Sequence, residues 1–154
     1  MFEWLCSIFV EKAQQAQLIT IVITAAMAIV VVLLNQYFLT KRARKEIYIK
    51  KIEEFHSLII EYEIAGNRLI HSYYAHRYEH EGIMQYGETI DNAIVKMQMI
   101  IELYFPSVNF EENEYRSLFD SLHTLNYKKA GDKVKSNARS LKGKSKTLMR
   151  RHKH

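Results

Sequence analysis

The sequence predicts an all-α protein in which one N-terminal transmembrane helix continues into a cytosolic helical bundle. Two observations predict it: a long apolar run near the N-terminus, and apolar residues that recur every three or four positions after it. The 154 residues include only five Gly, one Pro and one Cys. So few turn residues argue against a β architecture, and no segment alternates like a strand. A single Cys also excludes a disulfide framework and a Cys-x-x-Cys zinc site.

The apolar run covers residues 18–39, and its only polar side chains before Asn35 are Thr20 and Thr24. At about 1.5 Å per residue the run extends for roughly 33 Å, the thickness of the hydrocarbon core of a bilayer. A cleaved signal peptide is disfavoured, because no basic cluster precedes the run and one follows it. Residues 1–17 are rich in aromatic and aliphatic side chains and are expected to form an interfacial or outer helix segment.

Basic residues flank the run on one side. Six Lys or Arg lie between positions 41 and 51, whereas Lys12 stands alone before the run. The positive-inside rule therefore predicts a single-pass protein of the cell inner membrane, with the N-terminus outside and the C-terminal part in the cytosol. The cations predicted to determine this topology are Lys41, Arg42, Arg44 and Lys45.

A weakly polar stripe follows one face of the predicted span. Its members are Gln17, Thr20, Thr24, Ala28, Val31 and Asn35. Small and hydroxyl-bearing residues let helices approach closely in lipid, so the stripe is a candidate helix interface. It is also a candidate pore lining, and a polar face without partners is the remaining alternative. Because one helix cannot enclose a channel, a pore requires a homo-oligomer.

Four apolar patterns predict helices after the span, within a bundle assigned to residues 40–127 and a tail assigned to residues 128–154. No Pro precedes Pro106, so the spanning helix is expected to continue into the first pattern, where Gly66 indicates a bend or a close crossing. A break is expected near Gly82, the second pattern stops at Pro106, and Gly131 is expected to interrupt the third. The apolar positions are Ile52, Phe55, Ile59, Tyr62, Leu69 and Tyr73; Ile83, Tyr86, Ile90, Ile94, Met97, Ile101 and Tyr104; Tyr115, Leu118, Leu122 and Leu125; and Val134, Ala138, Leu141 and Leu148.

The tail is strongly basic and is expected to be helical or partly disordered. It holds eleven Lys or Arg and one acid, Asp132, so it carries a net charge of +10 in a chain whose total is +5. Such a segment suits anionic lipid head groups, nucleic-acid phosphates or an acidic protein. No aromatic residue follows Tyr127, which argues against base stacking. The cations predicted to make these contacts are Lys142, Lys144, Lys146, Arg150 and Arg151.

Two groups of residues are candidates for chemistry. Arg116 and His123 lie two helical turns apart, a spacing at which an Arg can hold an RNA phosphate while an imidazole moves a proton. His76 and His80 also share a helical face, but Arg77 occupies the position where a zincin has its Glu. The sequence therefore predicts no metal site and no cofactor.

The layout resembles a known family. One N-terminal span, a basic stop, a helical bundle rich in Lys and Tyr, and the element Arg116-SLFDSL-His123 are similar to the small membrane accessory proteins of type VI-B CRISPR systems. Those proteins accompany an RNA-guided RNase and carry a divergent HEPN-like domain. The resemblance implies a ring of subunits that forms a membrane pore and strengthens antiviral defence. HEPN ribonucleases usually have Asn, Asp or His directly after the Arg, whereas Ser117 follows here, which argues against RNase activity.

Three functions follow as hypotheses. The first is a non-enzymatic effector that oligomerises in the bilayer, forms a pore and enhances an RNA-guided RNase. The second is a membrane-tethered adaptor whose basic tail recruits an acidic protein or a nucleic acid. The third is a metal-independent, HEPN-like ribonuclease that uses Arg116 and His123. The partners implied are the lipid bilayer, further copies of the chain, anionic head groups, and an RNA-guided RNase complex or RNA.

Overall fold

A computed structural model describes residues 12–75, 80–122 and 124–152. Four helices account for most of these residues, and none of the described residues forms a strand. We number the helices α1 (Lys12–Tyr74), α2 (His80–Tyr104), α3 (Glu112–Leu122) and α4 (Tyr127–His152). The prediction of an all-α chain is therefore confirmed for the described part.

Two compact units divide the chain, Met1–Arg44 and Lys45–His154. The first contains the N-terminal part of α1. Within the described residues, α1 is the one helix long and apolar enough to cross a membrane, as judged by its length and composition. The second unit contains the rest of α1 and the other three helices, so the range 128–154 lies in the same unit as the bundle.

The second unit has one apolar core to which all four helices contribute. The predicted seam of α1 is buried, with Phe55, Ile59 and Tyr62 fully inaccessible to solvent. From the later helices the core takes the residues Ile90, Ile94, Met97, Ile101, Tyr115, Leu118, Leu122, Val134, Ala138, Leu141 and Leu148. A buried side chain of this size typically stabilises a fold by about 1.5–3 kcal/mol. The 3.6-residue periodicity thus predicted most of the core correctly. Five further predicted positions are partly buried and pack against it: Tyr73, Ile83, Tyr86, Tyr104 and Leu125.

Local chemistry sets the helix ends. Helix α2 ends at Tyr104, two residues before Pro106, which has no amide proton to continue the helix. Helix α4 begins after Asn126, whose side-chain Oδ1 accepts a hydrogen bond from the backbone amide of Lys129 at 3.0 Å. This contact is a typical N-cap, which satisfies an amide that the first turn leaves unpaired. Glu112 and Glu114 in the first turn of α3 suit the positive end of its dipole.

Of the two predicted interruptions, the first is confirmed close to its predicted position and the second is wrong. Helix α1 ends at Tyr74 and α2 begins at His80, so the break precedes Gly82, which lies in the first turn of α2. Gly131 lies inside α4, five residues after the Asn126 cap. A Gly costs a helix only about 1 kcal/mol relative to Ala, which the burial of neighbouring side chains such as Ala130 and Val134 offsets.

Gly66 marks a close helix crossing, one of the two alternatives that the sequence indicated. A Cβ atom at Gly66 would lie 3.1 Å from both Cγ1 and Cγ2 of Val134. The backbone of α1 therefore packs directly against a branched side chain of α4. A glycine at this position lets the two helices approach more closely than any larger residue would.

Candidate functional site

The N-terminal part of α1 presents an apolar surface that the chain itself does not cover. Its most apolar 18-residue window is 0% buried. Between Ile19 and Leu39 the large aliphatic and aromatic side chains are between 49% and 67% exposed. Soluble monomers rarely expose contiguous apolar patches beyond a few hundred Å². This surface therefore needs a lipid or protein environment.

The weakly polar stripe lies within this exposed helix. Thr20 Oγ1 donates a hydrogen bond to the carbonyl of Ala16 at 2.9 Å, and Thr24 Oγ1 donates to the carbonyl of Thr20 at 2.7 Å. Each hydroxyl proton is thus satisfied by the preceding turn, which makes Thr acceptable in an apolar environment. The oxygen lone pairs remain open to water or to a neighbouring helix. Of the other members, Gln17, Ala28, Val31 and Asn35 are exposed as well.

The cations that follow the apolar run are helical and exposed. Lys41, Arg42 and Arg44 belong to the first unit, and Lys45 is the first residue of the second. Basic side chains directly after an apolar helical segment are typical of the residues that flank a membrane span.

Arg116 is held by two carboxylates. Its Nε lies 2.5 Å from Oε1 of Glu112, one turn earlier on α3, and 3.6 Å from Oδ1 of Asp91 on α2. A phosphate would compete with both acids for this guanidinium. His123, the other member of the candidate catalytic pair, lies outside the described residues.

The described residues contain no group of three potential metal ligands. His71 is exposed in the last turn of α1. His76 lies outside the described residues, and the side chain of His80 is not described.

The basic tail forms helix α4, and three of its five predicted contact residues bind other parts of the chain. Lys142 Nζ lies 2.6 Å from Glu63 Oε2 on α1. Lys144 donates a hydrogen bond to the carbonyl of Asn109, and Arg151 donates to Ser107 Oγ at 3.2 Å. Lys146 and Arg150 are exposed and have no partner among the described residues.

Lys146 and Arg150 belong to a row of five exposed cations on α4, and the other three members were not among the residues predicted from the sequence. Its members are spaced by seven, four, seven and four residues and so share one face of the helix. They are Lys128, Lys135, Arg139, Lys146 and Arg150. The spacing is visible in the sequence, but it becomes informative only once 128–152 is known to be helical.

Two tyrosines, Tyr62 and Tyr115, are buried in the core, and the hydroxyl group of Tyr62 links two helices. Asn137 Nδ2 on α4 donates to Tyr62 Oη on α1 at 2.9 Å. Burial raises the pKa of Tyr62 above its ordinary value, and the hydrogen bond from Asn137 partly opposes this shift. Burial also raises the pKa of Tyr115 above its ordinary value, and the nearby Ser140 hydroxyl partly opposes this shift. Both phenols are thus held neutral.

Tyr74, at the end of α1, fixes the connection between α3 and α4. Its hydroxyl donates to the carbonyl of Leu122 at 2.9 Å and also contacts the carbonyl of Leu125. Desolvation raises the pKa of this phenol too, and neighbouring Tyr73 adds to the shift. The described residues on both sides of position 123 are therefore positioned by a side chain of α1.

A groove of about 420 Å³ lies between α1 and α2. Its lining mixes two half-exposed isoleucines, Ile60 and Ile64, with Glu61 and Arg68. Gln85, Tyr86 and Thr89 form the α2 side. The lining contains no nucleophile–base pair and no cluster of carboxylates, so we assign it no chemistry.

No known protein family, characterised protein or solved structure matches the chain.

Proposed function

We propose that this protein is a single-pass inner-membrane protein whose copies assemble through their helices into a membrane pore. In this proposal residues 18–39 span the bilayer, the N-terminus is outside, and the bundle is in the cytosol. The observation that carries the proposal is the apolar part of α1, whose most apolar window is 0% buried within the chain. Such a surface requires lipid, other copies, or both.

The polar stripe supports a pore in preference to a simple anchor. Thr20 and Thr24 use their hydroxyl protons within the helix and keep their oxygen lone pairs available. In a ring of helices these oxygens can face water on one side while aliphatic residues face lipid on the other. The resemblance to type VI-B CRISPR accessory proteins adds the biological setting: an antiviral effector that enhances an RNA-guided RNase.

Dye release from vesicles tests the pore. Full-length protein reconstituted into liposomes is expected to release a small trapped dye. The double variant Thr20→Leu and Thr24→Leu should reduce the release rate by at least fivefold, because it removes the polar atoms of the stripe. A matched control, Val22→Leu and Ala26→Leu, adds apolar bulk to the opposite face and should leave the rate within about twofold. Equal release by all three proteins, or none by the wild type, would contradict the proposal.

The ribonuclease hypothesis has less support. Arg116 faces Glu112 and Asp91, which neutralise the charge that a phosphate would need. If the protein nevertheless cleaves RNA, the double variant Arg116→Ala and His123→Ala should abolish the cleavage without changing the helical content. We expect no cleavage by the wild type.

A further inference from the structure

Helix α4 carries a row of exposed cations that do not pair with other described residues of the bundle. Lys128, Lys135, Arg139, Lys146 and Arg150 are exposed, and no described residue pairs with them. At about 1.5 Å per residue the row extends for roughly 33 Å along the helix. We call these five residues the cationic row.

The other contacts of α4 show why the row is distinct. The opposite face is buried through Val134, Ala138, Leu141 and Leu148. At the sides, Lys142 pairs with Glu63, and Lys133 Nζ donates to the carbonyl of Ser117 at 3.0 Å. Lys133 and Lys142 thus bind α4 to other helices, whereas the cationic row is exposed to solvent.

The row is electrostatically unfavourable in the isolated chain. Lys135 and Arg139 are four residues apart, as are Lys146 and Arg150, and like charges at this spacing repel each other on a helix. Asp132, the only acid between 128 and 154, lies four residues after Lys128 and three before Lys135, so it offsets the repulsion at that end of the row and leaves Arg139, Lys146 and Arg150 without an acid close by on the same helix. An extended external anion would relieve the repulsion.

The surface chemistry favours a phosphate backbone over a bilayer or a protein. A helix that lies on a membrane inserts its apolar face, but the apolar face of α4 is already part of the core. Protein partners usually need a buried apolar or aromatic anchor. Met149, at 41% exposure, is the one large apolar side chain that α4 exposes among its described residues after Tyr127. Successive phosphates require only a line of cations.

We propose that the cationic row of α4 binds the phosphate backbone of a nucleic acid without regard to sequence. This inference goes beyond the pore and does not depend on it. The row contains no aromatic residue that could stack on bases, so affinity should come from charge alone. With about five phosphates engaged, the logarithm of the affinity should fall with the logarithm of salt concentration with a slope of about −3.5 for a single strand.

Fluorescence anisotropy tests the proposal on the full-length protein in neutral detergent micelles, with a labelled RNA of about 20 nucleotides. We expect binding at about 50 mM salt, and roughly 100-fold weaker binding at about 200 mM. Two unrelated RNA sequences should bind within about threefold of each other. No binding at the lower salt concentration would overturn the proposal.

Two charge-matched triple variants show whether the row itself is responsible. The row variant carries Lys135→Gln, Arg139→Gln and Lys146→Gln and should bind at least tenfold more weakly, with a slope smaller by about 2. The control variant carries Lys50→Gln, Arg68→Gln and Lys96→Gln, which remove the same charge from exposed positions outside the row. It should bind within about threefold of the wild type. Equal losses of RNA affinity in both variants would mean that only the net charge of the protein matters, and would overturn the proposal.

Two further measurements address a row variant that misfolds and a row that binds lipid in place of RNA. If the row variant loses helical content, the single variant Arg139→Gln replaces it and should reduce the salt slope by about 0.7.

Limited trypsin cleavage after Lys135 and Arg139, in nanodiscs with and without phosphatidylserine, shows whether the row binds nucleic acid or lipid. RNA should protect both sites in either nanodisc. Protection by phosphatidylserine alone, without an effect of RNA, would assign the row to the bilayer and overturn the proposal.

Discussion

The side chains of Tyr62 and Asn137 form a buried hydrogen bond between α1 and α4. Asn137 Nδ2 lies 2.9 Å from Tyr62 Oη, and the two residues are 75 positions apart in the chain. Tyr62 is completely inaccessible to solvent and Asn137 is 8% exposed. The bond therefore attaches the basic helix to the first helix at a point where water does not replace a lost partner.

Removing this bond should destabilise the bundle. Tyr62→Phe leaves the Asn137 amide without its hydroxyl acceptor, and we expect the free energy of unfolding to fall by about 1–3 kcal/mol. Urea unfolding followed by circular dichroism measures the change. Tyr127→Phe is the control, because Tyr127 is 56% exposed and should change the stability by less than about 0.5 kcal/mol. Similar values for the two variants would mean that the buried bond contributes nothing.

Glycine substitutions should distinguish the helix crossing from the open positions of α4. Gly143 has no atom within 4 Å of a built Cβ, so Gly143→Ala should stabilise the protein by up to about 1 kcal/mol through helix propensity. Gly66→Ala should lack this gain, because its Cβ would lie 3.1 Å from two carbons of Val134. Adding Val134→Ala to Gly66→Ala should reduce the overlap, so the two changes should be non-additive. Thermal unfolding of these three variants and of Val134→Ala alone checks this, and equal gains at Gly66 and Gly143 would argue against a close crossing.

Alkaline pH should destabilise the bundle. Burial raises the pKa of Tyr62 and Tyr115 in the folded protein, whereas in the unfolded chain both ionise near pH 10. Above that pH the folded state binds more protons than the unfolded state, so stability falls as pH rises. Below about pH 10 the contribution is fully present. Urea midpoints at about pH 8 and pH 11 should differ, and Tyr115→Phe should reduce the difference; an unchanged difference would mean that other groups cause it.

The ion pairs of Arg116 should contribute modestly and should depend on salt. Arg116 is half-exposed, so Arg116→Gln should lower the free energy of unfolding by no more than about 1 kcal/mol at low ionic strength. The loss should shrink in high salt, which screens the attraction to Glu112 and Asp91. Arg68→Gln, at an exposed site on α1, provides the control. A loss of stability that does not depend on salt concentration would indicate that the packing of the Arg116 side chain, and not its charge, is responsible.

Periodicity predicted the core because burial repeats every three or four residues in all four helices. It located the break between α1 and α2 to within a few residues of Gly82. It wrongly placed an interruption at Gly131, since the modest cost of a glycine is outweighed by packing that no local pattern reveals. It also could not separate Lys142, which pairs with a Glu 79 positions away, from Lys146, which faces solvent. Such distinctions depend on contacts between distant parts of the chain. The cap at Asn126 was predictable in kind, because Asn is a common N-cap residue.

The oligomeric mass of the full-length protein in detergent tests the central proposal most directly, because a single exposed helix per chain cannot enclose a pore. Light scattering coupled to size-exclusion chromatography, with the detergent contribution subtracted, gives that mass. The account predicts one discrete species containing several copies of the chain. A monomer at every protein concentration would contradict it.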